Sequence, residues 1–324
     1  MKHAEPVSII LPTYNRADKL GDAIGSVLAQ NYETFELLVI DDGSTDQTET
    51  LINSYEDKRV RYYRMEKNSG QSKARNVGMQ MAKYDYLAFE DSDDMWRQGK
   101  LEAQMDTMLH AEPDVGMVYH KFRYDLGDGR GMTLPDEKIP ADRKSGDIYA
   151  QLLWDNLVGM PTMLLKRECV DEVGGLDESL KCLEDYDFAL RIAKKYKAIF
   201  LDETYLDARY SISGVSGGDT GQYLIASCML LAKYKEHIRF RNQPVWLLCC
   251  GAYVASDFSL IGAYPGKKLK FGYFPETLRC PQEELFAKKN TDKLQIVWAG
   301  RMISLKHPEF AVKLAGKLKE QGYS

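Results

Sequence analysis

Three short apolar runs, each ending in a polar segment, constrain this chain more than any other feature. "VSIIL" at 7–11 leads into "PTYNR", "FELLVI" at 35–40 into "DDGSTD", and "YDYLAF" at 84–89 into "EDSDD". Such runs read as buried strands, and Pro12 is expected to end the first. Leu20, Ile24, Val27 and Leu28 recur at helical spacing between the first two. Leu51, Ile52 and Tyr55 mark a second helix that Ser44 or Thr45 can cap. "RVRYYRM" alternates like a half-exposed strand, and Ala74, Val77, Gly78 and Met81 share one face of a third helix. Strands alternating with helices predict an α/β fold with a mainly parallel, doubly wound sheet flanked by helices. In such sheets ligands collect beyond the carboxyl ends of the strands. The three polar segments are therefore expected along one edge, as one site.

Farther along, residues 110–150 are rich in Gly, Asp and Pro and read as loops or a hairpin. "IYAQLLWDNL" reads as helical, and "PTMLLKRECVDEVGG" as a strand and short helix ending at Gly174. "LEDYDFALRIAKKY" predicts a helix with Leu183, Ala189, Ile192, Ala193 and Tyr196 inward. A hydrophobic fraction of 44% and a charged fraction of 28% are those of a soluble globular protein. The net charge of -5 argues against a nucleic-acid surface. Six cysteines without a CxxC pair and five histidines without an HExxH cluster argue against zinc and a disulfide framework. The N-terminus lacks the pattern of a signal peptide. The longest apolar run, "VWLLCCGAYVA" at 245–255, is about half of the ~20 residues that span a bilayer. A cytoplasmic location is expected, with peripheral association at the inner membrane face left open.

Glu90, Asp91, Asp93 and Asp94 crowd four carboxylates into five positions. Asp91 and Asp93 point the same way if the strand persists that far. A pair of oxygen donors at a strand end suits Mg²⁺ or Mn²⁺; a solvated acidic turn before a helix is the alternative. Asp41 and Asp42 are either turn and capping residues or partners for a base or ribose hydroxyl. Lys73 and Arg75 are cations able to pair with phosphate, or a solvated helix face. Glu184, Asp185 and Asp187 complement a helix dipole, or supply a general base that takes the proton of a sugar hydroxyl.

Taken together, "VSIILPTYNRADKLGDAIGSVLAQNYETFELLVIDDGSTDQT", "NSGQSKARNVGM", "YLAFEDSDDMW" and "GGLDESLKCLEDYDFALRI" strongly resemble the family 2 glycosyltransferases over residues 6–215. The resemblance implies a GT-A fold, a divalent metal and inversion at the anomeric carbon. It places Pro12, Thr13, Tyr14, Asp41, Asp42, Lys73, Arg75 and Ser92 on the nucleotide side. Asp91 and Asp93 become the metal-binding DxD motif, Asp94 faces the donor sugar, and Asp185, with Glu184 beside it, matches the catalytic base. Trp96 is read as packing. One departure is Glu90, where the family usually has an apolar residue, and it is expected to add charge to the cluster. The implied partners are a nucleotide-sugar donor, most simply a UDP-sugar, and a glycan or lipid-linked glycan acceptor of bacterial surface-polysaccharide assembly. The donor-sugar pocket is expected around 94–98 and 155–165, and the acceptor near Pro161, Thr162 and residues 211–216. A non-catalytic nucleotide-sugar binder and a nucleotidyltransferase are the rivals. The second would normally carry a Gly-rich phosphate loop, where "LPTYNRADKLG" offers only Gly21.

The GT-A domain is expected over 1–235 and a C-terminal extension over 236–324. In that extension, "LLCCGAYVASDFSLIGAYPGKKLKFGYFPE" and "KLQIVWAGRMISLKHPEFAVKLAGKLKEQGYS" resemble the middle of a family 4, GT-B glycosyltransferase. Arg301 and Lys306 stand there where that family places its donor-phosphate cations. Family 4 chemistry is not expected from so short a segment, which reads as a truncated second transferase or a docked tail.

Overall fold

A computed structural model describes residues 5–125, 131–209, 220–234, 237, 247–250 and 268–271. The first unit starts with β1 (Val7–Thr13), α1 (Ala17–Leu28), β2 (Phe35–Asp41), α2 (Thr48–Ile52), β3 (Val60–Arg64), α3 (Gln71–Met81) and β4 (Tyr86–Phe89). It continues with β5 (Met95–Trp96), α4 (Lys100–Leu109), β6 (Val115–Asp125), β7 (Gly131–Leu134), α5 (Tyr149–Leu152) and β8 (Leu164–Lys166). It closes with α6 (Arg167–Val173), α7 (Glu184–Ala193), β9 (Lys197–Arg209) and α8 (Thr220–Tyr234). In the second unit β10 (Leu247–Cys250) and β11 (Lys268–Phe271) pair in parallel. Arg301 and Lys306, with the rest of the family 4 resemblance, lie outside the described residues.

The main sheet runs β3-β2-β1-β4-β8-β6-β9-β5, with β7 added to β6. Its first four strands are parallel, as the alternating pattern predicts. The expectation of a mainly parallel sheet then fails. β8 runs antiparallel to β4 and β6, β7 antiparallel to β6, and β5 antiparallel to β9. Only β6 and β9 form a further parallel pair, so the sheet is mixed. The expected hairpin within 110–150 is the β6–β7 pair.

Alternation in the parallel strands builds two cores. Ile10, Leu38, Ile40, Leu87 and Phe89 pack with residues of α3, α7 and α8, whereas Ile9, Leu11, Leu37, Val39 and Ala88 pack with α1 and α4. Burying each such Leu or Ile contributes about 1.5–3 kcal/mol. α3 lies tight on the sheet because Gly78 has no side chain: a Cβ there would sit 2.5 Å from Ile10 Cγ2.

Pro12 does not end β1, which continues to Thr13. Ile10 O accepts from Glu90 N at 3.0 Å, so Ile10 and, two residues on, Pro12 turn their backbone toward β4. β4 has stopped by then, and no partner is deprived of an N–H. Thr13 O faces the other way and accepts from Asp42 N at 2.8 Å.

The second helix also starts later than expected. Ser44 and Thr45 do not cap it. Ser44 Oγ accepts from Asn15 N at 2.9 Å, and Thr45 N donates to Asn15 Oδ1 at 2.8 Å. Asp46 Oδ1 instead receives Thr48 N at 3.0 Å. Leu183 is not helical: it stands before α7 at φ +60.

Candidate functional site

The carboxyl ends of β1 and β2 lie side by side, Thr13 opposite Asp41, and β4 ends three registers short of them. The loops that follow make one acidic edge. On its nucleotide side Pro12 and Thr13 are buried, while Tyr14 is 43% exposed. Thr13 Oγ1 is buried without a hydrogen-bond partner among the described residues. A buried orphan hydroxyl is the kind of group a ligand completes.

Asp41 and Asp42 hold turns. Asp41 accepts from Ser44 N at 2.8 Å and Tyr62 OH at 2.7 Å, and burial with the nearby Asp41 charge raises that phenol well above its usual range. Asp42 accepts from Ser69 N at 2.8 Å and Gly70 N at 2.7 Å, at the entrance of α3 rather than α2. Burial raises its carboxyl despite those two bonds. Lys73, in the first turn of α3, sits 3.3 Å from Glu178. Ser92 is largely buried in the loop after β4.

The acidic cluster is divided among different surroundings. Glu90 is fully buried, and its Oε1 accepts from Asp91 N at 3.0 Å. Burial first, then Asp94, pushes its carboxyl well above its usual range. Lys100 is buried on the same side, bonded to Gln104 Oε1 at 2.8 Å with its Nζ 3.7 Å from the centre of the Trp96 ring. Burial drops the Lys100 ammonium to about 7 against the opposing pull of Glu90. Trp96 is 4% exposed and packs as expected. Asp91 Oδ1 accepts from Arg75 Nη2 at 2.5 Å, and Asp93 lies 3.8 Å from Arg16. Asp94 closes the turn, its N donating to Asp91 O at 3.2 Å. Arg75 and Arg16 beside Asp91 and Asp93 therefore offset part of the repulsion within the cluster.

Asp91 and Asp93 fit a hard divalent cation. Both side chains are partly open, at 28% and 23% exposure. Burial and then the Asp91 charge raise the Asp93 carboxyl, a repulsion that a cation between them would relieve. Among the described residues no cluster of three or more His, Cys, Asp or Glu forms a ready metal cage. Two carboxylates completed by water and phosphate oxygens suit Mg²⁺ or Mn²⁺ better than zinc.

Arg75 changes its expected role. Its side chain is 4% exposed, with Nη1 2.9 Å from Glu184 Oε1 and Nη2 on Asp91. The guanidinium thus ties the loop after β4 to the start of α7, and it faces carboxylates rather than an open phosphate pocket. Glu184 Oε1 also accepts from Gln71 Nε2 at 2.5 Å, so the two donors share that one oxygen. Among the described residues Asp185 accepts one hydrogen bond, from Tyr186 N at 2.7 Å. Burial and then the neighbouring Glu184 push its carboxyl up to about 7. Of the acidic pair, Glu184 is the one engaged by side-chain donors among the described residues.

Sequence reading put "PTYNR" on this edge but gave no individual role to Asn15, Arg16 or Gln71. The signal for Asn15 was its type, since asparagine tolerates the left-handed backbone it adopts at φ +49. The expected acceptor contacts at Pro161 and Thr162 are corrected: both are buried, and Thr162 Oγ1 donates to Gly159 O at 2.7 Å. Residues 211–216 lie outside the described residues.

The chain is similar to known proteins in sequence and in fold. Residues 8–173, about half of the chain, match the family model described as Glycosyl transferase family 2. An uncharacterized glycosyltransferase of Rickettsia typhi is 32% identical over 207 residues, 63% of each chain. The putative teichuronic acid biosynthesis glycosyltransferase TuaG of Bacillus subtilis is 34% identical over 169 residues, covering 52% of this chain and 64% of that one. The chain spans less than two thirds of the length of either relative. Among solved structures, S. aureus TarS 1-349 in complex with UDP-GlcNAc superposes with a TM-score of 0.57 at 23% identity, over 70% of this chain and 66% of that one. That likeness extends the agreement from sequence to fold. On the match over residues 8–173, the chain belongs to glycosyl transferase family 2.

Proposed function

We propose that this chain is a metal-dependent, inverting glycosyltransferase that moves a sugar from a UDP-sugar to an acceptor hydroxyl in bacterial surface-glycan assembly. The observation that carries the reading is the Arg75 bridge, which brings Asp91 of the acidic loop and the Glu184–Asp185 pair to one edge. On this reading the edge supplies what a single displacement needs, a metal site beside the departing diphosphate and a base for the incoming hydroxyl. Similarity to TuaG and to the UDP-GlcNAc complex of TarS supports the surface-glycan setting and the uridine donor.

Asp185 takes the proton of the acceptor hydroxyl as its oxygen bonds to the anomeric carbon and the carbon–oxygen bond to the diphosphate breaks. Glu184 and Arg75 hold that carboxylate in position, and Thr13, Asp41 and Asp42 shape the loops that receive the nucleoside. Asp93 and Asp91 would hold the divalent ion, which supplies the positive charge that stabilises the departing diphosphate. Asp94, beyond them on the same loop, would meet the donor sugar.

Calorimetric titration of UDP, GDP and dTDP, with Mn²⁺ and with EDTA, tests this. UDP is expected to bind only with the metal, and Asp93→Ala to abolish that binding. Metal-independent binding would remove the metal site and leave the acidic loop as a helix-entry turn, and no binding would remove the donor site as well. Asp185→Asn, binding UDP but transferring no sugar, separates an enzyme from a non-catalytic binder.

A further inference from the structure

The cations that the sequence offers for a diphosphate are occupied elsewhere. Arg75 is spent on Asp91 and Glu184, and Lys73 lies on Glu178. Arg64, at the end of β3, donates to Glu49 Oε2 and to Ser44 O, each at 2.8 Å. Arg16 differs. Its ion-pair partner among the described residues is Asp93, and Nη2 stands 3.8 Å from Oδ2, too far for a direct hydrogen bond. No side-chain hydrogen bond engages its guanidinium among the described residues. The side chain is 26% exposed, where that of Arg75 is 4% exposed.

The backbone that carries Arg16 is held from both sides. Asn15 N donates to Ser44 Oγ at 2.9 Å, and Asn15 Oδ1 accepts from Thr45 N at 2.8 Å. These bonds tie the loop after β1 to the loop after β2. One residue on, Ala17 N donates to Asp46 Oδ2 at 3.1 Å. Arg16 O accepts from Lys19 N and Leu20 N, each at 2.9 Å, as α1 begins. The guanidinium therefore stands on a fixed base beside the Asp93 carboxylate, with its N–H groups unspent. Three residues before it, the orphan Thr13 Oγ1 marks the same strand end as one that a ligand completes.

A divalent ion held by Asp91 and Asp93 would share the Asp93 carboxylate with this guanidinium, and two cations drawn to one carboxylate repel. An anion with oxygens for both relieves that conflict. A diphosphate has them, and the planar guanidinium matches its oxygens in pairs. We propose that Arg16 binds the diphosphate of the nucleotide donor beside the divalent ion, and competes with that ion for Asp93 while the nucleotide is absent. This rests on the reading of Asp91 and Asp93 as the metal-binding pair. Arg16 then adds fixed positive charge where the departing diphosphate gains negative charge.

Calorimetry on the full chain tests it, with Mn²⁺ alone and then with UDP in the presence of Mn²⁺; saturation-transfer NMR reads uridine without metal. Arg16→Ala is expected to weaken UDP about tenfold, the worth of about one charge-assisted hydrogen bond, and to leave uridine unchanged. Arg16→Lys, which keeps the charge, should recover part of that loss. Nucleotide-free Mn²⁺ should bind the alanine variant at least as tightly as the parent, because a competing cation has gone. A purely structural role would not give that split: it would weaken metal and nucleotide together and lower the thermal midpoint. If Arg16→Ala binds UDP as the parent does, or if Mn²⁺ affinity falls along with UDP, the inference is overturned and the donor site stands. Uridine weakened by the same factor as UDP would place Arg16 on the nucleoside side and overturn it as well. If the parent itself binds no UDP with Mn²⁺, the donor reading falls, and this inference with it.

Discussion

Arg75 stands between carboxylates that would otherwise repel across the site. Replacing it with methionine leaves Asp91 and Glu184 facing each other without their cation, and removing one partner of a buried pair destabilises by about 3–5 kcal/mol. Arg75→Met should show that loss in urea unfolding and should also lose transfer. A variant of parental stability would mean that the bridge is not formed in solution. Asp185 gives a prediction in pH. Its carboxyl, held up to about 7, must be ionised to accept a proton, so the transfer rate should fall as pH drops through that region. Asp185→Asn should lower kcat by roughly 10²- to 10⁴-fold, the usual worth of a general base. A rate that stays flat from about pH 5 to pH 8 would exclude this carboxylate as the base.

At the scale of elements, local pattern and tertiary structure divide the fold unevenly. β1, β2, β4, α1 and α3 were legible because each carries its own apolar period and ends at a polar loop. The start of α2 was not, because Asp46 competes successfully with Ser44 and Thr45 for the exposed backbone. β8 is three residues long, and its antiparallel place between β4 and β6 is set by partners far away in the chain. No local period encodes that. The acidic loop was legible as a cluster of carboxylates, but its division was not. Glu90 turns inward because its backbone completes the pairing with Ile10, which only the sheet reveals. Gly78 on α3 was placed on the apolar face, and the structure explains its size. Gly78→Ala forces a methyl against Ile10 and should destabilise by about 1–3 kcal/mol in thermal or urea unfolding. An unchanged midpoint would show that α3 can lift from the sheet without loss.

Across the whole first unit, α8 is joined to α7 by a polar contact as well as by apolar packing. Asp187 is fully buried, and Oδ1 receives Tyr234 OH at 2.8 Å and Lys233 Nζ at 2.7 Å, while Oδ2 receives Arg191 Nε at 2.8 Å. α8 lies well past residue 173, where the family match ends. A shortened chain ending at Arg209 would strand Asp187 with one cation, and it should unfold at a lower temperature and less cooperatively than one ending at Pro244. Equal melting curves for the two would show that α8 adds nothing to the fold. The same contact sets how the amide hydrogens of α7 exchange with solvent. Backbone groups held in one cooperative unit exchange together when that unit opens. The helix that carries Asp185 should therefore share its protection with α8, and loosening Tyr234 should accelerate deuterium uptake around the base without any change at the nucleotide loops.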